Sequence, residues 1–234
     1  MSDHVIAIEQ LRFSWPGESS PILDIPSFKI KKGERIFLKG ASGSGKSTLL
    51  SLLGGVLTPQ QGDVLLLDRP LHDLRAAERD RFRADHIGFI FQMFNLIPYL
   101  SVLENVMLPL HFSPLRHARV VKNTTAEDEA MRLLAHLDLS GALLQRSVTD
   151  LSVGQQQRVA AARALIGQPE ILIADEPTSS LDADRRAAFI KLLIKECDDA
   201  GNTLLFVSHD ASLESYFDHC VNLDSINQSA QVVN

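Results

Sequence analysis

The sequence has few cysteines and no long apolar run. Only two of its 234 residues are cysteine, Cys197 and Cys220, and they form neither a CxxC pair nor a cluster with histidines at metal-binding spacing. We therefore expect free, largely buried thiols in a reducing compartment. Because no apolar run approaches the roughly 18 residues that span a bilayer, we expect no transmembrane helix, and the N-terminal residues predict no signal peptide.

An excess of basic residues is also absent. The formal net charge is −6, which gives no argument for nucleic acid as a partner. Hydrophobic residues make up 45% of the chain and charged residues 22%, as in an ordinary globular protein with a sizeable core. A chain of this length forms one large domain or two small ones.

Strand-like and helix-like segments follow one another in a definite order. The run "EILIADEP" is typical of a strand buried on both faces of a parallel sheet, and similar runs alternate with helical segments. In the middle of the chain the pattern is helical, and Thr125 with Asp128 marks a capped helix start. We predict an α/β fold with a core over 1–92 and 151–225, a helical subdomain over 93–150 and a tail over 226–234.

A glycine-rich loop, "GASGSGKST", lies between a predicted strand and a predicted helix. Gly40, Gly45, Lys46 and Ser47 match the pattern GxxxxGK[ST]. In that pattern the glycines let the backbone approach phosphates, the lysine reaches the β and γ oxygens, and the serine can bind Mg²⁺. A glycine turn that merely caps a helix is the alternative, but chance gives this pattern in only about one per cent of chains this long. The loop therefore predicts nucleotide binding.

Polar side chains stand at the ends of three other predicted strands. Asp175 and Glu176 follow "ILIA", and in a P-loop protein one such acid holds Mg²⁺ while the next polarises the attacking water. A single acid before Pro177 would otherwise only begin the next helix. Gln92 ends "HIGFIF" and His209 follows "LLFVS"; each alone is commonly a loop residue. Because ligands bind at the carboxyl ends of strands in open α/β sheets, we expect Glu176, Gln92 and His209 to converge with Lys46 on one nucleotide.

A second phosphate-type helix start, "LSVGQQQR", runs from Leu151 to Arg158. The free N–H groups and the dipole of a helix start both suit an anion. The chain already has one phosphate loop, so this second start needs a separate explanation.

The order of these motifs resembles that of the ATP-binding subunit of an ABC transporter over almost the whole chain. The glycine loop, Gln92, "LSVGQQQR", "ILIADE", "SSLD" and His209 occur in the family's order. The resemblance implies a P-loop NTPase core with a mostly parallel sheet, an antiparallel N-terminal β part and a helical insertion. It also implies that two copies pack head to tail, so that the second helix start of one copy completes the ATP site of the other.

The resemblance further implies a role for each motif residue. Glu176 would be the catalytic base, with His209 at the γ-phosphate and Gln92 at the attacking water. Metal contacts to Mg²⁺ would come from Ser47, Gln92 and Asp175. Contacts to ATP would come from Trp15, Gly40, Ala41, Ser42, Gly43, Ser44, Gly45, Lys46, Ser47, Thr48, Ser152, Gly154, Gln155 and Asp182. For Trp15, which would stack on adenine, the alternative is a buried core tryptophan.

Two segments depart from the family's usual pattern. Val153 stands where the signature motif usually has glycine, and its β-branched side chain restricts the backbone there. The Ser152 hydroxyl and the Gly154 N–H can still donate hydrogen bonds, so we expect function to survive. The segment "PTSSLD" stands where close relatives often have Gly-Asn before Leu-Asp, and we expect no change in chemistry from it.

The segment "FIFQMFNLIPYLSVLENVMLPL" resembles the macrolide-efflux and lipoprotein-releasing ATPases (MacB/LolD-type) and their cell-division relative. The apolar residues after Gln92 either dock a membrane permease or pack within the helical insertion. These residues are Met93, Phe94, Leu96, Ile97, Pro98 and Tyr99. We expect a peripheral ATPase at the cytoplasmic face of the bacterial inner membrane, which works with an integral membrane permease and with no nucleic acid.

Two other functions stay open at this point. One is a mechanotransmission ATPase that transports nothing and regulates an extracytoplasmic enzyme through a membrane partner. The other is an ABC ATPase of DNA repair or translation, although such proteins usually carry two ATPase halves or long coiled-coil or zinc insertions, none of which is visible in this sequence.

Overall fold

The computed structural model describes residues 3–229, so the last five positions of the predicted tail lie outside that range. The chain divides into two compact units. Unit 1 contains the described residues up to Arg83 together with those from Leu205 onward, and unit 2 is Ala84–Leu204. Strand β8, Thr203–Val207, begins in unit 2 and ends in unit 1.

Besides the end of β8, unit 1 contains the strands β1 (His4–Phe13), β2 (Leu23–Lys31), β3 (Arg35–Lys39), β4 (Gln61–Leu66), β5 (Arg69–Pro70) and β9 (His219–Asn222). They form an antiparallel sheet in the order β2-β1-β4-β5 and parallel strands in the order β8-β3-β9. Its helices are α1 (Lys46–Leu53), most of α2 (Ala76–His86) and α8 (Leu223–Ile226).

Alternating burial explains the antiparallel sheet of unit 1. Along the second half of β2, buried Phe28 and Ile30 alternate with exposed neighbours, as in a strand with one face on the core. Strands β3 and β8 are more fully buried, and their phenylalanines form a cluster of three aromatic rings with Phe217. The ring of Phe206 lies 6.1 Å from that of Phe37 and 5.1 Å from that of Phe217.

Unit 2 contains the parallel strands in the order β6-β7-β8 and most of the helices. The strands are β6 (Ile87–Ile90) and β7 (Ile171–Asp175), with the start of β8. The helices are the end of α2, then α3 (Val102–Phe112), α4 (Pro114–Val121), α5 (Ala126–His136), α6 (Val153–Leu165) and α7 (Ala183–Ala200).

Hydroxyl side chains cap the starts of four helices in unit 2, α3 to α6. Ser101 and Glu104 form a reciprocal capping box at the start of α3, and the Thr125 hydroxyl accepts the Asp128 N–H at the start of α5. The helix start predicted at Thr125 is therefore confirmed.

Strand β6 approaches α6 so closely that a Cβ on Gly88 would lie 2.3 Å from the Ala164 carbonyl oxygen, and only glycine fits there.

These elements confirm the predicted α/β class with an antiparallel N-terminal part, a parallel sheet and a helical middle. One prediction about the thiols is wrong. Cys197 is buried, but Cys220 is exposed because it lies on β9, the last strand in the order of unit 1. Within the described residues, no helix is long and apolar enough to cross a membrane.

Candidate nucleotide-binding site

The glycine loop of unit 1 connects the end of β3 to the start of α1. The residue that precedes α1 is Gly45, whose φ of 100° lies in the left-handed region and whose missing side chain provides no cap for the helix. The first-turn N–H groups of α1 are therefore left for a ligand rather than for a capping side chain. A Cβ on Gly45 would also lie 2.8 Å from Leu23 Cδ2 and 3.3 Å from the Ile22 oxygen, so this position requires glycine.

Two polar side chains of the loop are arranged for an anion. The Nζ of Lys46 donates to the carbonyl oxygens of Gly40 and Ala41, each at 2.8 Å, so the ammonium lies over the loop. The hydroxyl oxygen of Ser44 is buried, and no hydrogen-bond partner for it is found among the described residues. A buried polar atom without a partner is costly unless a ligand or water satisfies it. The loop thus fits a bound phosphate group.

Trp15 and His209 also belong to unit 1. Trp15 is 45% exposed and meets the edge of Phe13 at a ring distance of 5.3 Å, so it is not a buried core tryptophan. His209 is exposed just beyond the end of β8. The backbone N–H of Ser208 donates to the Leu38 oxygen at 3.2 Å, so the end of β8 meets the end of β3, where the glycine loop begins.

The carboxyl ends of β6 and β7 in unit 2 carry Gln92, Asp175 and Glu176. Strands β6 and β7 pair in register up to Ile90 and Ala174, so their carboxyl ends coincide. Gln92 then lies two residues beyond one strand end, while Asp175 is the last residue of the other. Unit 2 therefore places these three residues at the same end of two paired strands, and their convergence on one nucleotide stays a prediction.

Glu176 has an unusual backbone conformation. Its φ is 46°, in the left-handed region that a residue with a side chain seldom adopts. Strain of this kind persists only where the surroundings over-determine it, and it concentrates at functional sites. The next residue is held by α6, because the buried Gln157 side chain donates from Nε2 to the Pro177 oxygen at 2.9 Å.

The second phosphate-type helix start of the sequence, "LSVGQQQR", is the start of α6 in unit 2. The hydroxyl oxygen of Ser152 accepts the N–H of Gln155 at 3.4 Å, and the Gln155 side chain accepts the N–H of Ser152 at 2.9 Å. Val153 is 48% exposed, so the departure from the signature pattern falls on the surface of this chain. A Cβ on Gly154 would lie 3.7 Å from Leu181, and Asp182 caps α7 through the Arg185 N–H.

Comparison with known proteins identifies the family. The family model for ABC transporters matches residues 23–179. The chain belongs to the ABC transporter family of ATP-binding domains. As a member of that family it is an ATPase, and its parallel and antiparallel sheets are those of the ABC cassette.

Relatives of this ABC cassette cover most of its length. It is 43% identical to the ABC transporter ATP-binding protein YbbA of Escherichia coli K12 over 194 residues, which are 83% of this chain and 82% of YbbA. It is 40% identical to the lipoprotein-releasing system ATP-binding protein LolD of Syntrophotalea carbinolica over 202 residues, 86% of each chain. It also aligns with the cassette MJ0796 of Methanocaldococcus jannaschii, solved as a dimer in a post-hydrolysis state with ADP and Pi. The TM-score is 0.82, with 35% identity and 93% of each chain covered.

Three buried side chains of the ABC cassette support these motifs and were missed by sequence reasoning. Gln157 is one, and two others hold the loop of residues 91–100. Arg163 donates to the oxygens of Phe94 and Asn95, and burial lowers the pKa of its guanidinium. The Asn105 side chain is fully buried and bonds both the N–H and the oxygen of Ile97. A polar residue inside an otherwise apolar helix face was the only available signal.

A fourth missed residue, Arg116, caps the far end of α6. It is almost fully buried, and its guanidinium donates to the oxygens of Ala164 and Ile166. Burial, helped by the nearby charge of Arg119, lowers the pKa of Arg116 to about 10. A cation at a helix C-terminus interacts favourably with the helix dipole, so α6 is stabilised at the end opposite its exposed start.

Proposed function

We propose that the chain is the ATP-hydrolysing subunit of an ABC transporter of the lipoprotein-releasing or macrolide-export type. In this proposal two copies bind two ATP molecules, close head to tail, and drive a separate membrane permease. The observation that supports it is the exposed, glycine-containing start of α6, because a helix start suits an anion and the chain already has one phosphate loop. In the proposed dimer, the γ-phosphate of the ATP bound to one copy contacts the start of α6 of the other copy.

The roles proposed for the residues follow from their chemistry. The backbone of residues 40–48 and the Lys46 ammonium hold the phosphates, and Trp15 stacks on adenine. Glu176 accepts a proton from the attacking water, and His209 and Gln92 orient groups around the γ-phosphate. Ser152, Gly154 and Gln155 of the other copy face the γ-phosphate. Asp182 holds the segment that follows Glu176 at the start of α7.

Mg²⁺ is the metal proposed for the ATP complex. Oxygen donors suit this ion, which usually retains waters and binds through substrate phosphates rather than in an all-protein cage. The proposed donors fit that preference, because they are a hydroxyl, an amide oxygen and a carboxylate. Ser47, Gln92 and Asp175 are the proposed protein contacts. When bound, the ion offsets negative charge on the phosphate oxygens.

The loop of residues 91–100 is the proposed contact with the permease. Met93 is 81% exposed and Tyr99 is 85% exposed, whereas Phe94 between them is buried. Arg163 and Asn105 fix the backbone of the loop, so the exposed side chains have defined positions without packing against the core. Apolar side chains presented in this way favour a protein partner, and the permease would keep the ATPase at the cytoplasmic face of the membrane.

The test is purification of the Glu176→Gln variant from native membranes in the presence of ATP, with ATP turnover measured in parallel. We expect ATP binding to persist, turnover to fall at least about 100-fold because the base is lost, and an integral membrane protein to co-purify. A partner with few transmembrane helices and a large extracytoplasmic domain supports the proposed type, and a many-helix partner contradicts it. Near-wild-type turnover would contradict the role of Glu176.

A transport assay with that partner decides between transport and regulation of an extracytoplasmic enzyme. Movement of a hydrophobic substrate or lipoprotein supports the proposal. Hydrolysis that changes the activity of an enzyme across the membrane, without transport, replaces it with the mechanotransmission function.

A further inference from the structure

The end of the described chain is hydrogen-bonded to the start of β2. We call residues 222–229 the C-terminal segment. Its Asn227 is buried, accepts the Asp24 N–H at Oδ1 at 2.8 Å and donates from Nδ2 to the Ile22 oxygen at 3.0 Å. The Ser229 hydroxyl donates to the same oxygen at 3.1 Å, and the Gln228 N–H donates to the Asp24 oxygen at 2.7 Å.

The phosphate loop in turn packs against the start of β2, because Ile22 and Leu23 lie beside Gly45. The Ile22 oxygen, which Asn227 holds, lies 3.3 Å from the position that a Cβ on Gly45 would occupy, and Leu23 Cδ2 lies 2.8 Å from it. Leu223 of the C-terminal segment makes a second contact, because its Cβ lies 3.2 Å from the corresponding position at Gly40. Both ends of the loop that precedes α1 therefore rest on groups that the C-terminal segment holds or supplies.

The residue that Asn227 holds, Ile22, also closes the turn that carries Trp15. The Ile22 N–H donates to the Phe13 oxygen at 2.9 Å, which closes the turn of residues 14–21. Asn227 bonds the oxygen of the residue that closes this turn. One side chain thus constrains both the wall of the phosphate loop and the base of the turn that presents the aromatic ring.

We propose that Asn227 is a positioning residue for nucleotide binding, acting through Ile22 on Gly45 and on the Trp15 turn. The proposal rests on the proposed binding of ATP phosphates by residues 40–48. It gives the C-terminal segment a function in the ATP site, although Asn227 itself contacts no proposed ligand position. Because a polar side chain that holds backbone groups contributes through preorganisation, its removal weakens ATP binding without removing any direct contact.

The test compares Asn227→Ala with Asn202→Leu, which serves as a stability control. Asn202 is another buried asparagine, and it donates to the oxygen of Pro169 in unit 2. The Kd for ATP is measured by equilibrium dialysis, stability by urea unfolding, and the local environment by fluorescence of Trp15, the single tryptophan. We expect Asn227→Ala to raise the Kd about five-fold or more and to shift the Trp15 emission of the free protein, while Asn202→Leu lowers stability alone.

Each outcome decides the proposal. A Kd within two-fold of the wild-type value in folded Asn227→Ala, or an equal rise in Asn202→Leu, overturns it. If Asn227→Ala does not fold, Asn227→Asp replaces it, since that variant keeps an acceptor for the Asp24 N–H and loses only the Nδ2 donor to the Ile22 oxygen. We then expect a Kd raised about three-fold or more, and a Kd within two-fold of the wild-type value overturns the proposal.

A Lys46→Ala variant separates this inference from the proposed function. Unimpaired ATP binding by Lys46→Ala means that residues 40–48 do not bind the phosphates, and the proposed function fails with the inference. Loss of binding in Lys46→Ala together with wild-type binding in Asn227→Ala means that only the inference fails.

Discussion

Replacing Gln157 with leucine should slow ATP hydrolysis without weakening ATP binding. The side chain is buried in α6, and its Nε2 donates to the Pro177 oxygen at 2.9 Å, next to Glu176. A buried carbonyl that loses its donor costs about 1–3 kcal/mol. Holding a residue such as Glu176 at a positive φ costs a similar amount, about 1–3 kcal/mol. The bond is therefore strong enough to hold the strained conformation, and its loss lets Glu176 relax.

The magnitude follows from these two free energies. We expect the loss of the bond to raise the activation free energy of hydrolysis by about 1–2 kcal/mol through Glu176. The kcat then falls about 5- to 30-fold, because each 1.36 kcal/mol is ten-fold in rate. The free energy of unfolding falls by about 1–2 kcal/mol, since leucine recovers part of the loss by apolar burial. The KM for ATP should stay within about two-fold, because the Gln157 bond acts on the residue after Glu176 and not on residues 40–48, which are proposed to hold the phosphates.

The assay is steady-state ATP hydrolysis over a range of ATP concentrations, with urea unfolding of the same samples. Asn202→Leu is the matched control, because Asn202 is also a buried amide that donates to a buried proline oxygen, at Pro169. That control should lose similar stability and keep its kcat. If Gln157→Leu loses stability but keeps the wild-type kcat, the bond does not hold Glu176 in its active conformation and the reasoning is refuted.

Two further predictions concern charge and aromatic stacking. Burial would raise the pKa of Glu170, but hydrogen bonds from His86 and Arg119 outweigh it and lower that pKa to about 2 from the ordinary 4.5. The ion pair between Glu170 and Arg119 stabilises the fold above about pH 4.5. Its contribution to the free energy of unfolding disappears as the pH falls from there towards 2. Arg119→Met should therefore cost about 2 kcal/mol of unfolding free energy near neutral pH and progressively less below pH 4.5, whereas a pH-independent loss would contradict the pairing. Trp15→Ala should raise the Kd for ATP about 5- to 10-fold, while Trp15→Phe should keep most of the affinity. If equilibrium dialysis gives Trp15→Ala the same Kd as the wild type, the stacking of Trp15 on adenine is contradicted.

The sequence predicted the elements that depend on local spacing. The glycine loop, the buried run ending in Asp175 and the hydroxyl cap at Ser152 each follow from residues close together in the chain. Local hydrogen bonds and strand burial largely decide such features, so the fold class and the starts of α5 and α6 could be predicted.

The supporting contacts could not be predicted because they join distant residues. Asn227 bonds Asp24 across 203 positions of sequence, and Arg163 bonds Phe94 across 69. Neither pairing leaves a periodic pattern. The apolar run after Gln92 shows the same limit, because its composition is uniform while its burial is not. Phe94 lies in the core and Tyr99 in solvent, a difference that the positive φ values at Phe94 and Asn95 produce by turning the chain.

The most direct test of the head-to-tail site is a mixing experiment with two inactive variants. Lys46→Ala removes the phosphate-loop lysine, and Ser152→Arg blocks the exposed start of α6; each alone should hydrolyse no ATP. In a mixed dimer one composite site receives both substitutions and the other receives neither. The account predicts that mixing restores about a quarter of the wild-type rate, since random pairing makes half the dimers mixed and each has one intact site. If the mixture stays as inactive as its components, the phosphate loop and the start of α6 do not act between copies, and the central claim is wrong.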